Sequence, residues 1–358
     1  MYFNMPTRLF QEDGCIEKHA AELCALGTKA LIVTGKKSSR INGALEDVTN
    51  ALKQKGRQYA IFDETEENPS VETVMGAAAL GRSFGADFVI GIGGGSPLDA
   101  AKAAALMVYN SDKGADFLYQ NVSAGALPVA AVPTTCGTGS EVTAISVLTV
   151  HEKRTKASIP HRIFPEIALI DGKYLKKAPL SLIRNTAVDA YGHLIESWLN
   201  SKADDYSRMC AEKGLRVWAE CREALASGSV SGTESRLMTA SAMAGLAISL
   251  TGTTVPHGLS YRITYELGIP HGKAVGMFIG GYLRQAPRAY REFLLELSGF
   301  ESAEEYDDFF RSVCGTADIP AHVLELTVKD LLANTAKLKS ASYSIDEQTL
   351  WNIALQHC

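Results

Sequence analysis

The chain has 358 residues, of which 46% are hydrophobic and 21% charged, and it carries a formal net charge of −5 at pH 7. This length predicts two domains, and the composition is that of a globular protein with a substantial core. Because 35 Lys and Arg are balanced by 40 Asp and Glu without a long run of one sign, the sequence argues against a general nucleic-acid or anionic-membrane binder.

The sequence also indicates a cellular compartment. No apolar run approaches the roughly 18 residues that a membrane-spanning helix needs, and residues 1–6 show no basic leader ahead of an apolar stretch. The seven cysteines are scattered without a Cys-x-x-Cys pair, which is typical of a reducing compartment and offers no thiolate zinc site. We therefore expect a cytoplasmic protein.

Five short apolar segments in the first half are predicted to be strands, with helical segments between them. Strands that alternate with helices indicate parallel crossover units and an open α/β sheet covered on both faces. The predicted strands are Lys29–Thr34, Gln58–Phe62, Asp87–Ile92, Pro128–Val132 and Ile167–Ile170, and the helices between them include Val71–Phe84 and Pro97–Tyr109.

Strand signals nearly vanish after Pro179, where a proline is placed to begin a helix. We therefore expect an α/β domain over residues 1–178 and an all-helical domain over residues 179–358. The predicted helices of the second domain include Ser181–Leu199, Asp205–Ala226, Glu234–Thr251 and Asp330–Lys339.

A glycine-rich segment, Gly93–Gly95, directly follows the third predicted strand. Its bare backbone allows a ligand to approach closely. Ser96 is predicted to cap the following helix, with Pro97 in its first turn and Asp99 reaching back as in a capping box. A capped helix start beside free backbone N–H groups suits a pyrophosphate, although a turn that only joins strand to helix is the alternative.

A second such loop, Pro133–Glu141, follows the fourth predicted strand and carries four hydroxyls and two glycines. Open α/β sheets bind nucleotides at the carboxyl ends of their strands, so the two loops together favour a dinucleotide. The loop after the first strand offers glycine, hydroxyls and cations instead of a carboxylate, which favours NADP over NAD unless it is only a solvated charged loop. Its candidate contacts are Gly35, Lys36, Ser38, Ser39 and Arg40.

Four residues of the second half form a candidate metal site. Asp189 and His193 are four residues apart, which on a helix places both on one face. His257 and His271 each lie in a Pro-His-Gly unit, which indicates positions fixed at helix ends or turns. One carboxylate and three imidazoles suit Fe²⁺ or Zn²⁺. A simple i,i+4 pair and two buried, hydrogen-bonded histidines are the alternative.

In these residues the chain resembles the iron-containing (group III) alcohol dehydrogenases over nearly its whole length. The matching elements are Gly93–Lys102, Pro133–Glu141, Val188–Glu196 and residues 257–272, in the same order and at similar spacing. The resemblance implies the dehydroquinate synthase-like fold, with an α/β dinucleotide-binding domain, an all-α metal-binding domain and an active site in the cleft between them. It also implies a homodimer.

The resemblance assigns roles to individual residues. It implies that Asp189, His193, His257 and His271 hold the metal, with iron expected and zinc possible. It implies cofactor contacts by Gly94, Gly95 and Ser96 to the pyrophosphate, by Asp99 near the nicotinamide, and by Thr134, Thr135, Thr138 and Lys156. Tyr261 stands where many members carry a proton-relay histidine, so its hydroxyl is a candidate relay. Val275 stands where many carry an asparagine.

The expected function is that of a metal-dependent, NAD(P)-linked alcohol dehydrogenase or aldehyde reductase for short-chain alcohols, diols or aldehydes. One alternative is a glycerol-type polyol dehydrogenase, whose loop usually has lysine where Ser96 stands. Another is a dehydroquinate synthase-like lyase, which would need a basic phosphate-binding cluster that the second half does not show. A non-catalytic NADP-binding protein is the third.

Overall fold

The computed structural model describes residues 3–153 and 155–356, which divide into two compact units. The first unit comprises residues 4–135 and 139–178, and every described strand lies in it. The second comprises Phe3, residues 136–138 and the helical chain from Pro179 onward. A parallel-sheet unit and a helical unit are the fold class that the sequence predicts.

The first unit is built on a six-stranded parallel sheet with the order β1-β8-β5-β4-β2-β3, beside which β6 and β7 form a two-stranded antiparallel sheet. The five predicted strands are confirmed to within one residue at each end, whereas β1 and the β6–β7 pair were not predicted. The bounds are β1 Arg8–Gln11, β2 Lys29–Thr34, β3 Gln58–Phe62, β4 Phe88–Gly93, β5 Val129–Pro133, β6 Val147–Val150, β7 Thr155–Ser158 and β8 Ile167–Ile170.

Helices cover both faces of the parallel sheet because successive side chains of a strand point to opposite faces. In β2, Leu31 and Val33 join one apolar core with α5 and α6, while Ala30 and Ile32 join another with α1, α2 and α4. The helices of this unit are α1 Cys15–Lys18, α2 Ala20–Cys24, α3 Ser38–Asn42, α4 Ala44–Gln54, α5 Val71–Phe84 and α6 Gly95–Tyr109.

The start of α6 differs from the prediction. The helix begins at Gly95 with Gly94 as its N-cap, so Ser96 is not the cap and Asp99 forms no capping box. The hydroxyl of Ser96 instead accepts a hydrogen bond from the backbone N–H of Asn68, at 3.0 Å. Glycine suits the cap because a Cβ at Gly94 would come within 2.9 Å of the Thr135 hydroxyl.

Asp99 belongs to a buried polar cluster that ties α6 to the segment after β5. Its carboxylate accepts hydrogen bonds from the Ser140 hydroxyl (2.6 Å) and the Val147 N–H (2.8 Å). The fully buried Lys102 ammonium donates to the Ser140 hydroxyl at 2.6 Å and to the Ile145 carbonyl at 2.8 Å. Asp99 therefore helps to hold the segment after β5 in place, and its predicted position near the nicotinamide stays a prediction.

The second unit is helical in all its described elements. The predicted helix 205–226 is two helices, and the predicted helix 330–339 is broken at Asn334, whose side chain caps the short helix after it. The helices are α7 Leu180–Trp198, α8 Asp205–Ala219, α9 Arg222–Ser227, α10 Glu234–Thr251, α11 Val255–Leu267, α12 His271–Gln285, α13 Arg288–Ser298, α14 Ala303–Cys314, α15 Ala321–Ala333, α16 Thr335–Leu338 and α17 Glu347–Leu355.

No single helix within the described ranges is long and apolar enough to cross a membrane. The helices α10 and α11 meet the length and composition requirement only as a pair, and the pair is bent by 108°.

Glu141 follows Ser140 in the chain and is 2% exposed. Its burial should make the free energy of unfolding depend on pH. Burial raises the pKa of Glu141 from 4.5 to about 7, and the Lys102 charge offsets this only in part. A raised carboxyl pKa gives stability that is present below pH 4.5 and is lost as the pH rises to about 7. Glu141→Gln is neutral throughout, so its free energy of unfolding relative to the parent chain should rise from pH 5 to pH 8, by about 3 kcal/mol at most. Its melting temperature relative to the parent chain should rise accordingly.

Thermal unfolding of both chains at the two pH values measures this difference. The exposed Glu72→Gln, in the first turn of α5, serves as the control and should show no such trend. Parallel melting curves of Glu141→Gln and the parent chain at both pH values would contradict the assignment.

Candidate metal and nucleotide sites

The candidate metal ligands lie where three helices of the second unit meet. Asp189 and His193 are buried on one face of α7, one turn apart. His257 lies in the first turn of α11 behind Pro256, and His271 begins α12 directly after Pro270. Both Pro-His-Gly units therefore mark helix starts, as their sequence indicates.

The structure brings three of the four predicted ligands together. The Asp189 Oδ1 atom lies 3.5 Å from His257 Nε2 and 3.9 Å from His271 Nε2, and one donor atom from each of the three residues lies within 4.8 Å of the others. His193 lies beside this group, with its ring stacked on that of His257 at a centroid distance of 4.4 Å. The His193 Nδ1 atom is 4.0 Å from Asp189 Oδ2 and 3.4 Å from the Gly137 carbonyl oxygen.

The close approach of α12 to α7 depends on a glycine. A Cβ on Gly272 would lie 1.9 Å from the carbonyl oxygen of Asn185 and 2.9 Å from the Asp189 Cβ. The two backbones are in contact at this point, which is possible because glycine has no Cβ. His271 is thereby held next to Asp189.

The donor atoms of this cluster fit a divalent cation. Asp189 Oδ1 and His257 Nε2 are buried and, among the described residues, make no hydrogen bond. Buried polar atoms are normally satisfied, and a carboxylate facing imidazoles is a usual set of ligands for iron or zinc. A bound cation would therefore explain why these two buried atoms make no hydrogen bond among the described residues.

Electrostatics within the cluster keep its carboxylate charged. Burial alone would raise the pKa of Asp189, but the facing imidazoles, His193 above all, outweigh burial and keep its pKa well below the usual range. Burial lowers the pKa of His193 to about 4, which leaves a neutral ring that is able to bind a metal. Burial also opposes the charge of His257, but Glu196 and Asp189 raise its pKa to about 10, so cation binding must displace a proton there.

Glu196 is a functional residue to which sequence reasoning gave no role. It is fully buried and accepts hydrogen bonds from His257 Nδ1, from the His257 N–H (3.3 Å) and from the backbone N–H and hydroxyl of Thr254. A carboxylate behind a histidine fixes the ring and leaves its other nitrogen for a metal. The available signal was its spacing, since it lies three residues after His193 on the same helical face.

Tyr261 lies one helical turn beyond His257 on α11, half-buried. Its ring is nearly parallel to that of His271, with an interplanar angle of 13° and a centroid distance of 6.3 Å. Val275 is fully buried in α12, and its side chain faces Gly192 on α7. Tyr261 is therefore near a candidate ligand, whereas Val275 fills a position in the packing.

The ends of β4 and β5, where the two predicted cofactor loops begin, lie side by side in the first unit. Gly93 at the end of β4 pairs with Pro133 at the end of β5, and the Thr134 N–H donates to the Gly93 carbonyl at 2.8 Å. Gly94, Gly95 and Ser96 form the half-buried start of α6, where backbone N–H groups suit an anion. The contacts of Thr134, Thr135 and Thr138 with a cofactor, and that of Lys156 on β7, stay predictions.

The loop after β2 presents cations but hides one of its predicted hydroxyls. Gly35 follows the strand, and Lys36 and Ser38 are exposed at the start of α3. The exposed Arg40 pairs with Asp63 at 2.8 Å. Ser39 is fully buried, and its contact with a cofactor stays a prediction, as do those of Gly35, Lys36, Ser38 and Arg40.

Comparison with known proteins shows to which family the chain belongs. The profile described as Iron-containing alcohol dehydrogenase matches residues 6–172, and the C-terminal profile of the Fe-containing alcohol dehydrogenase family matches residues 183–341. Long-chain-alcohol dehydrogenase 1 of Geobacillus thermodenitrificans is 30% identical over 344 residues, which are 88% of this chain and 86% of the relative.

Two further relatives agree. The NADPH-dependent butanol dehydrogenase of Clostridium saccharobutylicum is 30% identical over 285 residues, covering 78% of this chain and 72% of that protein. The crystal structure of an iron-containing alcohol dehydrogenase from Thermotoga maritima has a TM-score of 0.91 at 34% identity and covers 98% of both chains. The chain therefore belongs to the iron-containing alcohol dehydrogenase family and is an oxidoreductase that acts on alcohols.

Proposed function

We propose that this protein is a metal-dependent, NADP-preferring dehydrogenase that interconverts short-chain alcohols or diols with their aldehydes. The observation that carries the proposal is the cluster of Asp189, His257 and His271, in which one donor atom of each residue lies within 4.8 Å of the others, with His193 alongside. The Asp189 and His257 atoms of this cluster are buried and make no hydrogen bond among the described residues. Iron is the proposed metal, with zinc as the alternative that the same ligands accept. From the resemblance and the composition we also propose a cytoplasmic homodimer.

A cation held by Asp189 and the three histidines would act as a Lewis acid on the alcohol or carbonyl oxygen, while a nicotinamide accepts or returns hydride. The chain's own residues prepare this chemistry. Asp189 stays ionised, and Glu196 holds the His257 ring with Nε2 toward the cluster. The start of α6 offers its backbone N–H groups to the cofactor's phosphates.

Alcohol oxidation also requires the hydroxyl proton to leave. We assign its transfer to the phenol of Tyr261, because the ring stacks near His271 and occupies the position one turn after His257. A half-buried hydroxyl can pass the proton on to solvent.

The preference for NADP rests on the loop after β2. Lys36 and Arg40 are exposed there, and residues 35–40 contain no carboxylate to bind a ribose 2′-hydroxyl. Asp63 opposes this charge, but its partner Arg40 is 52% exposed and free to turn toward a phosphate. The name of the NADPH-dependent butanol dehydrogenase relative supports the same preference.

The function is tested by following the absorbance of reduced nicotinamide with NAD and NADP against a panel of alcohols and aldehydes. We expect net cofactor reduction by primary alcohols only after iron or zinc is restored to metal-free protein. His257→Ala should lose metal and lower kcat/KM by at least about 100-fold, because a ligand and the Lewis acid go together. The exposed His322→Ala is the matched control.

Two outcomes would contradict the proposal. Full activity of metal-free His257→Ala would refute the metal's role. Turnover of a substrate without any lasting change in nicotinamide absorbance would point to a dehydroquinate synthase-like lyase instead.

The role of Tyr261 is tested by Tyr261→Phe, which removes only the hydroxyl. We expect kcat for alcohol oxidation to fall about 100-fold, with metal content unchanged, because proton transfer loses its relay. Tyr265→Phe, one turn further along α11, is the matched control. Unchanged turnover across the pH range would eliminate the assignment.

The cofactor preference is tested by Arg40→Ala. We expect the KM for NADP to rise about 10-fold while that for NAD stays the same, because the lost charge would contact only the 2′-phosphate. Lys55→Ala, an exposed cation at the end of α4, is the control. Equal changes in both KM values would show that Arg40 does not discriminate between the two cofactors.

A further inference from the structure

Lys337 lies in α16, in the C-terminal part of the chain to which the sequence assigns no role, and it is half-buried. Its ammonium donates to the hydroxyl of Thr253 at 2.6 Å and to the Thr253 carbonyl at 2.9 Å. Thr253 lies in the turn Gly252–Thr254 between α10 and α11. One cation therefore makes two hydrogen bonds to a turn that is distant in sequence.

The next residue of that turn, Thr254, is fully buried and hydrogen-bonds to Glu196, the carboxylate behind His257. Its backbone N–H and its hydroxyl both donate to Glu196 Oε2. The other oxygen of Glu196 accepts from His257 Nδ1. An unbroken series of contacts thus connects Lys337 with a candidate metal ligand through Thr253, Thr254 and Glu196.

The stem of Lys337 also packs beside the ligand-bearing turn. A Cβ on Gly258 would lie 3.3 Å from Lys337 Cγ and 2.8 Å from Leu331 Cδ1, so both side chains lie over the residue that follows His257. The ammonium lies 5.9 Å from the centre of the Tyr261 ring, one turn further along α11. The lysine is therefore fixed by its stem and its charge together.

We propose that Lys337 is a positioning residue for the metal site. Its ammonium holds the Gly252–Thr254 turn, which holds Glu196 and thereby the orientation of the His257 ring. The proposal rests on the metal dependence proposed above, and it concerns preorganisation: a ring that is already oriented loses less freedom when it binds a cation.

The test is the affinity of full-length, metal-free protein for Zn²⁺, measured by competition with a chromophoric chelator. Lys337→Met keeps the stem but removes the donors, and we expect it to weaken Zn²⁺ binding about 10-fold. Lys337→Arg, which keeps a charged donor, should restore part of the affinity. The matched control is Lys339→Met, two residues further along and exposed, which should bind like the parent chain.

A double-mutant cycle separates this role from a general loss of stability. If Lys337 acts through Glu196, then Lys337→Met should weaken Zn²⁺ binding far less in a Glu196→Gln background than in the parent chain. The Co²⁺-loaded protein adds a spectroscopic readout, since an altered ligand geometry should shift the visible bands of Lys337→Met but not those of Lys339→Met.

Three outcomes would overturn the role proposed for Lys337. Zn²⁺ affinity that is unchanged in Lys337→Met, a fully additive cycle, or a lower melting temperature of the metal-free protein without a change in affinity would each do so. A parent chain that binds neither Zn²⁺ nor Fe²⁺ would refute the proposed function itself, so the two failures are distinguishable.

Discussion

The helical unit must hold the buried carboxylate of Asp189 beside the imidazoles of His193, His257 and the half-buried His271. Ionisable groups without partners cost free energy in a protein interior, so such a cluster persists only when its charges and hydrogen bonds are matched. Asp189 supplies the negative charge, Glu196 fixes one ring, and one buried atom each of Asp189 and His257 makes no hydrogen bond among the described residues. The hydrogen-only side chain of Gly272 lets α12 approach α7 closely enough to build this arrangement.

Much of the fold could be predicted from the sequence because parallel strands that are buried on both faces have nearly continuous apolar sequences. The four inner strands β2, β4, β5 and β8 are of this kind, and their ends are predicted to within one residue. The edge strand β1 escaped prediction because it has only four residues, none of them fully buried. The β6–β7 pair is equally short and mixes polar with apolar residues.

The candidate metal ligands could also be recognised in the sequence, because their spacing on a helix and the Pro-His-Gly units constrain side chains locally. Residues that act across long sequence distances were not visible. The bond between Asp99 and Ser140 spans 41 residues, and that between Lys337 and Thr253 spans 84. From its neighbours in sequence, Asp99 is predicted to be part of a helix cap, and Lys337 is given no role. The partners of both residues, Ser140 and Thr253, are brought close only by the tertiary structure.

We propose that one divalent cation binds where Asp189, His193, His257 and His271 meet. Its most direct test is an anomalous difference map from crystals of the iron-loaded protein, recorded on both sides of the iron absorption edge. We expect one strong peak per chain, within bonding distance of the Asp189 carboxylate and the three imidazoles. A peak bound by other residues, or four side chains around an empty position in fully loaded crystals, would contradict it.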